Sequence, residues 1–406
     1  MNKVIFIFRQ YANIPYLPGG VRHFKFGKLM VEDGNSVYIF ISNFRHDTKS
    51  YAKKFKGLYK IENYKGIKFV WINNKPVYFK NDWRRLLGML DYSLKVFLVA
   101  ISFKAKAIKP DLIIGSVAHI FAVCSAYLSS LILNSKFWID LGDLWPASYI
   151  QSGVIAKNHP IAIAMSLLSS ILYRKAGKII VLSKNAEKYL LGINVPYEKI
   201  ILFSNGIVGK NSVKFLKNKV VPIQVTPRSN FIVTYTGALD ETHPIDVLIK
   251  AAFILKDKNI QLEVEIVGDG VKRSYYQQMI TKYGQKNIRL YGPVKREKLK
   301  DIYQKADTLI VIEKDLGYGF PNKLIDYSIS CKPVIIASGM SYNLPNELYL
   351  QTSPTAEKIA EAIMQIYEMT SDDRQAIGQM ICKYALNSFN MRKNYIKQIQ
   401  PLIGLL

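Results

Sequence analysis

The sequence predicts an α/β protein made of two doubly wound, Rossmann-like domains. Three observations support this prediction. Short runs of β-branched and aromatic residues alternate with helix-length segments, the alternation breaks near residue 209, and it restarts near residue 230. Such alternation specifies mostly parallel sheets with helices on both faces. Because ligands of these sheets bind at the carboxyl ends of the strands, we expect the two domains to face each other across a cleft.

The first half of the chain begins with KVIFIF, residues 3–8, which has the composition of a buried strand. In the segment that follows, Phe24, Phe26, Leu29 and Met30 fit one face of a helix, and Gly34 is its predicted stop. The further strands predicted in this half are SVYIFIS, GIKFVWI, DLIIG, KFWIDL and KIIVLS.

The second half repeats the pattern after a polar, lysine-rich segment, 209–229, that contains two prolines and is predicted to be the linker. Its predicted strands are FIVTYTG, LEVEIVGDG, NIRLYG, DTLIVIE and KPVIIAS, and its first three helices are predicted over 244–257, 271–284 and 295–305. The predicted organisation is an N-terminal domain over 1–208, a C-terminal domain over 230–373, and a final helical segment over 374–406 that packs back toward the N-terminal domain.

Cysteine usage and the start of the chain indicate the compartment. The three cysteines form no C-x-x-C pair and have no metal-ligand spacing to the five histidines, which favours a reducing compartment and argues against structural zinc. Five apolar residues precede Arg9, too few for the core of a signal peptide. We therefore expect a cytoplasmic protein.

The positive charge of the chain is concentrated in its first half. Residues 1–215 hold 31 Lys and Arg against 11 Asp and Glu, a balance of +20, whereas the remaining 25 basic and 19 acidic residues give +6. A basic surface of this kind suits an anionic membrane or a nucleic acid.

Two segments of the first half are apolar enough to raise the question of a membrane. Residues 112–135 are long enough to span a bilayer, but the strand-like start and the serines favour a buried strand followed by a buried helix. Residues 81–106 place Trp83, Arg84 and Arg85 ahead of a long apolar helix. This second pattern is typical of a helix in a membrane interface or of a core helix with a basic start, and the charge balance favours the interface.

Glycines close two of the predicted strands in the second half. YTGALD places Gly237 at a strand end, and IVGDG does the same with Gly268, Asp269 and Gly270. Such glycines let a ligand approach the backbone, although plain turns use them as well. The chain contains neither G-x-G-x-x-G after its first strand nor G-x-x-x-x-G-K-[ST], which disfavours dinucleotide oxidoreductases and P-loop enzymes.

The stretch YGFPNKLIDYSISCKPVII, residues 318–336, places a lysine where a helix begins. Pro321 fits the first turn of a helix, and Asn322 and Lys323 follow it. A cation is disfavoured at this end by about 0.3–1 kcal/mol, but a bound diphosphate reverses that preference. Lys323 is thus predicted to bind a diphosphate, or else to extend into solvent.

Asp326 lies one turn further along the same predicted helix, near the face of Lys323. A carboxylate in this position can accept hydrogen bonds from a ribose diol. The alternative is an ion pair with Lys323.

The order of these motifs resembles the retaining GT-B glycosyltransferases of group 1, family 4, in the branch that builds bacterial surface polysaccharides. The resemblance covers nearly the whole chain. The motifs that carry it are PGGVRHFKFGKLMVEDG, DLWPASYIQSG, VLSKNAEKYL, SNG, YTG, IVGDG, YGP, YQKADTLIVI and FPNKLIDYSISCKPVII.

The resemblance implies a specific reaction and location. A sugar is transferred, with retention at the anomeric carbon and without a metal or other cofactor, from a nucleotide diphosphate sugar. UDP-sugars are favoured over GDP-sugars. The implied acceptor is a polyprenyl-linked or surface glycan of a capsule, O-antigen or exopolysaccharide, and the implied location is peripheral on the inner face of the cell membrane.

Two departures from the family pattern affect the donor site. The second acid of the family's E-x7-E pair is matched by Asp326, but the first falls on Tyr318, although Gly319 and Phe320 match the residues after it. Glu313 and Asp315 are the two alternatives for the missing acid.

The family's usual Arg and Lys after the first strand of the second domain fall on Ala238 and His243. This substitution gives Lys323 more weight, since a metal-free transferase must offset the leaving group's charge with fixed charges and dipoles.

Candidate groups in the first domain follow from strand ends and the first loop. Asp140 stands where the family often has a histidine, and Asp143 and His119 are further catalytic candidates; Asp143 is alternatively a cap of the next turn. The first loop is predicted to bind a phosphate of the donor or of the acceptor. Its candidate residues are Gly19, Gly20 and Arg22.

Two other functions fit parts of the pattern. A nucleotide-sugar epimerase or hydrolase on the same fold would need a cluster of donor-side acids, and none is evident. A nucleic-acid-binding protein would interleave aromatic and basic residues, whereas the aromatics here follow the strand and core pattern. The predicted partners are therefore a nucleotide-sugar donor, a lipid-linked or glycan acceptor and an anionic membrane, but no nucleic acid.

Overall fold

The computed structural model describes most of the 406 residues. The described residues are 2–17, 21–75, 78, 83–151, 153, 155–208, 230–284, 286–314, 320–340, 342 and 344–406. The predicted linker, 209–229, lies outside them, as do Gly19, Gly20, Asp315, Tyr318 and Gly319.

The chain divides into two compact units. Unit 1 comprises Met1–Asn205 and Met391–Leu406, and unit 2 comprises Gly206–Asn390. Each is a parallel or nearly parallel sheet with connecting helices, so the predicted doubly wound α/β architecture is confirmed.

Unit 1 is built on an eight-stranded sheet. Its strands are β1 (Val4–Phe8), β2 (Ser36–Ser42), β5 (Tyr59–Tyr64), β6 (Ile67–Ile72), β7 (Leu112–Ser116), β8 (Lys136–Leu141), β9 (Lys178–Val181) and β10 (Ile200–Leu202), and a separate ladder joins β3 (Phe44–Arg45) to β4 (Ser50–Tyr51). The spatial order of the sheet is β10-β9-β8-β7-β1-β2-β6-β5. The central strands are continuous apolar runs because helices cover both of their faces.

The helices of unit 1 connect these strands. They are α1 (Arg22–Glu32), α2 (Trp83–Ser102), α3 (Ile120–Leu133), α4 (Ala147–Gln151), α5 (Pro160–Lys175) and α6 (Lys184–Gly192), with 3-10 turns at Phe103–Lys106 and Tyr197–Lys199. The predicted strand and helix over 112–135 are therefore confirmed as separate elements.

The sequence pattern did not predict four strands of unit 1, which are β3, β4, β5 and β10. β5 alternates polar and apolar residues at the edge of the sheet and pairs antiparallel with β6. Lys65 and Gly66, both at positive φ, form the two-residue turn between them. An exposed edge strand lacks the continuous apolar run that identifies the central strands.

Unit 2 is built on a six-stranded parallel sheet. Its strands are β11 (Phe231–Ala238), β12 (Leu262–Asp269), β13 (Ile288–Tyr291), β14 (Thr308–Ile312), β15 (Val334–Ala337) and β16 (Leu350–Thr352), in the spatial order β13-β12-β11-β14-β15-β16. Its helices are α7 (Asp246–Asp257), α8 (Arg273–Lys282), α9 (Arg296–Lys305), α10 (Asn322–Ser328), α11 (Ala356–Glu368) and α12 (Ser371–Ser388).

The C-terminal segment returns to unit 1 later than predicted. α12 remains in unit 2, where Ile381 and Ala385 are buried in its core. The return begins with α13 (Met391–Gln398) and ends with α14 (Gln400–Gly404). In unit 1, Arg392 forms an ion pair with Glu32 of α1. The apolar face of α12 explains the difference from the predicted start at residue 374.

α2 and the 3-10 turn after it, Trp83–Lys106, are long and apolar enough to cross a membrane by length and composition alone. The buried side of α2 is attached to the sheet of unit 1: the Tyr92 hydroxyl donates a hydrogen bond to the Phe40 carbonyl over 2.8 Å. A core helix passes the same length and composition test.

Candidate active site

The candidate donor site of unit 2 lies where the strand order of its sheet changes direction. β11 has β12 on one side and β14 on the other, so the connections run outward from this pair. Gly237 and Ala238 end β11, and Glu313 directly follows β14. Ligands of open α/β sheets bind at such a switch point, outside the carboxyl ends of the strands.

Two glycines allow the backbones of β11 and β12 to meet closely at this edge. Gly237 and Gly268 are partners in the parallel ladder, and a Cβ atom on Gly268 would lie 1.9 Å from the Gly237 carbonyl oxygen. At Gly270 it would lie 2.2 Å from the Leu239 carbonyl oxygen. Gly268 and Gly270 are therefore required by packing within unit 2, whether or not a ligand also approaches them.

Lys323 extends from the start of α10 toward the end of β11. Its Nζ donates a hydrogen bond to the Tyr235 hydroxyl at 3.2 Å and lies 4.6 Å from the centre of that ring. The predicted alternative, a lysine extended into solvent, is wrong, since the side chain is partly buried. Burial lowers the pKa of Lys323 to about 8, against the opposing effect of Glu313 and Asp240.

The helix that carries Lys323 contributes little charge of its own. α10 has only seven residues, and Pro321 precedes it as the N-cap instead of occupying its first turn as predicted. Because the macrodipole acts through only a few aligned peptides here, the ammonium of Lys323 is the main positive charge that this segment offers an anion.

A second group of polar side chains surrounds Glu313. Its Oε2 accepts a hydrogen bond from the Tyr342 hydroxyl over 2.8 Å, and its Oε1 lies 3.7 Å from Nε2 of His243. The other ring nitrogen of His243 lies 2.8 Å from Asp240. Burial alone would raise the pKa of Glu313, but the nearby His243 ring, the Lys323 charge and the Tyr342 hydroxyl hold that pKa below its usual value.

The remaining predicted donor residues are placed around this centre. Asp326 forms an ion pair with Arg296 of α9 at 3.4 Å, a partner that the sequence did not suggest. Asn322 and Asp269 are exposed, and Asp269 accepts a hydrogen bond from the Gly270 amide at 2.9 Å. Phe320 packs on Phe389, with ring centroids 5.3 Å apart.

Unit 1 contains a buried polar cluster, which also lies where the spatial order of the strands changes direction. β1 lies between β7 and β2, and the cluster joins the ends of β7 and β8 to the start of α1. Asp140, 1% exposed, lies 2.9 Å from Arg22 through one oxygen and 2.9 Å from Nε2 of His23 through the other. The Ser116 hydroxyl donates to the same carboxylate at 2.9 Å.

This cluster changes the interpretation of Asp140 and Arg22. Burial would raise the pKa of Asp140, but the Arg22 charge and the His23 hydrogen bond hold it far below its usual value. Arg22 also donates to the Phe203 carbonyl and the Asn205 side chain, each at 3.0 Å. These contacts hold the Arg22 guanidinium against other residues of unit 1, and its binding of a phosphate stays a prediction.

His119 does not face an open site. It is 0% exposed and caps α3, with Nδ1 accepting from the Ala122 amide at 3.3 Å. Among the described residues its Nε2 has no hydrogen-bond partner. Burial and the charges of Arg9 and Arg85 lower the pKa of His119 to about 3. The ring is thus neutral near pH 7 and has no surface for a substrate.

Asp143 and Arg9 are the more accessible charged groups at this edge. Asp143 is exposed, and none of the described residues donates a hydrogen bond to it, so the structure does not show the predicted capping role. Arg9 directly follows β1 and donates to the Val117 carbonyl. The sequence analysis missed Arg9, although a charged residue at the end of an apolar strand is itself a signal.

Within the described part of the chain, no group of three or more His, Cys, Asp and Glu residues is arranged to hold a metal ion. A separate pocket of about 380 Å³ opens in unit 1. Its walls include Trp145, Pro146, Tyr149, His159 and Met165.

Comparison with known proteins links the fold to an enzyme class. Residues 217–381 match the family described as "Glycosyl transferases group 1". A curated protein of Limosilactobacillus reuteri subsp. suis, named "UDP-N-acetylglucosamine--peptide N-acetylglucosaminyltransferase GtfA subunit", is 28% identical over 190 residues. That match covers 44% of this chain and 36% of the relative, so the chain spans about a third of the relative's length.

Solved structures match the whole chain at low sequence identity. Sucrose-phosphate synthase from Thermosynechococcus elongatus has a TM-score of 0.73 at 17% identity, with 100% of this chain and 99% of that one covered. HepE of Anabaena, solved with UDP and glucose, has a TM-score of 0.66 at 16% identity and full coverage of both chains. Together these matches show that the chain has the GT-B fold and that residues 217–381 match the glycosyl transferases group 1 family.

Proposed function

We propose that the protein is a retaining, metal-independent glycosyltransferase of bacterial polysaccharide synthesis. It transfers a sugar from a nucleotide diphosphate sugar, with UDP-sugars favoured over GDP-sugars, to a polyprenyl-linked or surface glycan. The main observation behind this proposal is that the ammonium of Lys323 lies beside Gly237 at the switch point of the unit 2 sheet.

The charge of Lys323 answers the main chemical need of this reaction. When the glycosidic bond to the donor breaks, negative charge builds up on the diphosphate leaving group. Fixed positive groups in a site with little water stabilise that charge. Ala238 and His243 occupy the positions where related enzymes carry cations. We therefore assign stabilisation of the diphosphate charge to Lys323.

Glu313 is the favoured alternative for the acid that Tyr318 does not supply. It lies at the end of β14, the strand beside β11, and its pKa is held low enough for an ionised carboxylate at neutral pH. An ionised carboxylate accepts hydrogen bonds from sugar hydroxyls. We assign it to the sugar of the donor and Asp326 to the ribose.

The choice of UDP is supported by the names of similar proteins. HepE has been solved with UDP and with UDP-glucose, and the name of the curated relative contains UDP-N-acetylglucosamine. Retention, independence of metals and the surface-polysaccharide acceptor are proposed because the resemblance of the motif order to the retaining GT-B glycosyltransferases of group 1, family 4, implies them. We place the enzyme in the cytoplasm, peripheral on the inner face of the cell membrane.

The acceptor is assigned to unit 1. The pocket beside Trp145 and Tyr149 has aromatic walls, which suit the apolar faces of sugar rings. Asp143 is the accessible carboxylate in the loop after β8, and Asp140 is a structural residue. The relative's name specifies a peptide acceptor, so a peptide is the alternative to a glycan.

The test is a binding and transfer panel. UDP-, GDP-, CDP- and dTDP-sugars are compared by thermal shift with and without EDTA, and the best donor is then assayed with lipid-linked glycan and peptide acceptors. The expected result is stabilisation by a UDP-sugar that EDTA does not remove, transfer to the glycan, and an unchanged anomeric configuration by NMR. If no nucleotide sugar stabilises the protein, the proposed reaction is refuted.

A further inference from the structure

Three neighbouring helices of unit 1 carry large apolar residues on their exposed sides as well as on their buried sides. Of 25 large apolar side chains that are exposed in the described part of the chain, six are on α2, three on α3 and four on α5. More than half of the exposed large apolar side chains are therefore on three helices. Exposed apolar residues scattered singly need no explanation, but a concentration of this size marks an interaction surface.

α2 shows the pattern most clearly. Its exposed residues Leu87, Leu90, Leu94 and Leu98 recur at intervals of three or four and so form one stripe. Its opposite, buried face includes the polar Ser93. That buried face is otherwise mainly apolar, with Met89, Tyr92 and Val96, so α2 is apolar on both sides, whereas an ordinary surface helix has a polar outer face.

α3 is likewise apolar on both sides, since Ile120, Val123 and Leu133 are buried. Ser125, Ser129 and Ser130 are buried, whereas Leu128 and Leu131 are exposed. The buried hydroxyl of Ser125 donates to the Ser93 carbonyl of α2 at 2.7 Å, which joins the two helices by a polar contact beneath their apolar outer faces.

α5 extends the surface on the other side of α3. Ile163, Leu167 and Ile171 recur every four residues and are all about half exposed or more. α3 packs against both α2 and α5, so the three exposed stripes are neighbours. We call them together the three-helix face.

The chain segments that contain α2 and α5 carry mostly positive charge. Residues 83–109 contain six Lys and Arg and one carboxylate, Asp91, which is paired with Lys95 at 2.7 Å. Residues 155–178 contain four Lys and Arg and no carboxylate. Trp83, 66% exposed, begins α2, and the Arg84 guanidinium lies 5.7 Å from its ring.

We propose that the three-helix face binds an anionic lipid bilayer, with its leucine and isoleucine side chains inserted among the lipids. Apolar side chains with a cationic rim and an interfacial tryptophan have the composition of helices that lie in a membrane surface. The two polar contacts on the inner side, Tyr92 to Phe40 and Ser125 to Ser93, hold the helices to unit 1, so the face lies on the membrane without crossing it.

Charge favours a membrane over a second copy of this chain. Two copies related by a two-fold axis would bring the same cationic rims together, which costs energy, whereas anionic headgroups attract each of these cations by about 1 kcal/mol near the surface. The inference rests on the membrane location in the proposed function and names the surface that makes the contact. Because this binding requires neither donor nor acceptor, its failure would leave the proposed transfer reaction intact.

The test is flotation of the full-length protein with vesicles, without any substrate. Vesicles of phosphatidylcholine alone are compared with vesicles containing about one third phosphatidylglycerol. The variant Leu94→Gln/Leu131→Gln/Leu167→Gln changes one residue on each helix, and these are 61%, 59% and 60% exposed in the protein. The control Leu191→Gln/Met380→Gln/Ile396→Gln changes three exposed helical residues elsewhere.

We expect the wild type and the control to bind the anionic vesicles. The affinity of the face variant for these vesicles should be at least about ten-fold lower, since each inserted leucine contributes to burial of apolar area. Equal circular dichroism and melting temperature show that the variants are folded. Trp83→Phe identifies the origin of a blue shift in tryptophan fluorescence: the shift on vesicle binding should disappear in this variant while binding remains.

Three outcomes would overturn the proposal. The wild type fails to float with anionic vesicles, or the face variant floats as well as the control. The third is a soluble oligomer of the wild type that the face variant converts to monomers while neither binds vesicles, which would make the surface an interface between copies of this chain.

Discussion

Lys323 and Tyr235 meet at the end of the first strand of unit 2, with the lysine Nζ 3.2 Å from the tyrosine hydroxyl. The contact depends on Gly237, because a Cβ atom there would lie 2.9 Å from that hydroxyl and 3.0 Å from the ammonium. The Tyr235 hydroxyl in turn donates to the Ala238 carbonyl at 2.8 Å. The position of the ammonium at the strand end is therefore set by the backbone of the strand itself.

The first prediction concerns the charge of Lys323. Lys323→Met keeps most of the side-chain length and removes the ammonium, so the diphosphate loses its fixed cation. We expect the transfer rate to fall by about 10²–10³, the typical cost of removing one charge-stabilising donor. The donor's dissociation constant, measured by calorimetry, should rise.

Lys298→Met is the matched control, since Lys298 is an exposed lysine of α9. It should bind donor as the wild type does. Equal donor affinity in Lys323→Met and Lys298→Met would show that Lys323 does not bind the diphosphate.

The second prediction is the pH dependence of donor binding. The pKa of Lys323 is lowered to about 8 by burial, so the ammonium is present below that pH and is lost above it. A bound diphosphate favours the charged amine, and binding therefore takes up a proton above pH 8. We expect the affinity for a nucleotide sugar to be constant from pH 6.5 to about 7.5 and to fall by up to about ten-fold per pH unit above 8. Lys323→Met should show no such fall.

The third prediction concerns the effect of Glu313 on the pH at which donor affinity begins to fall. The carboxylate of Glu313 raises the pKa of Lys323 against the effect of burial. Glu313→Gln removes this support, so the fall in affinity should begin at a lower pH than in the wild type. The same calorimetric titration measures it, and Tyr342→Phe, which retains the carboxylate, serves as control. If donor affinity begins to fall at the same pH in Glu313→Gln as in the wild type, the charges of Glu313 and Lys323 do not interact.

The fourth prediction concerns the stability of unit 1. Asp140→Asn leaves the Arg22 guanidinium buried without its counter-charge, and breaking such a pair costs about 3–5 kcal/mol of unfolding free energy. The exposed Asp143→Asn should change stability by less than about 0.5 kcal/mol. Urea unfolding of both variants measures the difference.

This effect of Asp140 has a defined pH range. The pKa of the carboxyl is lower in the folded than in the unfolded protein, so its contribution is present above the unfolded pKa and fades as the pH falls below about 4. The wild type should thus lose its advantage over Asp140→Asn in acid. A constant difference from pH 7 to pH 3 would contradict the assignment.

The fifth prediction tests the close approach of two strands. Gly268→Ala places a Cβ atom 1.9 Å from the Gly237 carbonyl oxygen, so the backbone must move. We expect a loss of more than about 2 kcal/mol in unfolding free energy, together with weaker donor binding. Gly292→Ala is the control, because no atom lies within 4 Å of its added Cβ. A loss of stability in both variants alike would point to a general effect of alanine.

Much of the fold follows from the sequence alone. The central strands of both sheets are continuous apolar runs, and the helices between them have the period of one buried face, so the doubly wound architecture is visible without coordinates. The unusual position of Lys323 was visible too, because Pro321 marks the start of a helix, where a cation is normally disfavoured. These features depend on residues that are near one another in the chain.

The tertiary structure alone decided which side chains are paired and which faces are covered. Arg22 and Asp140 are 118 residues apart, and only the order of the strands brings the guanidinium to the carboxylate. Likewise, α2 and α3 are apolar on both sides, and only the packing shows that Leu94 and Leu131 are exposed while Val96 and Val123 are buried. Periodicity specifies that a helix has an apolar side, but which side is buried depends on what the rest of the chain packs against it.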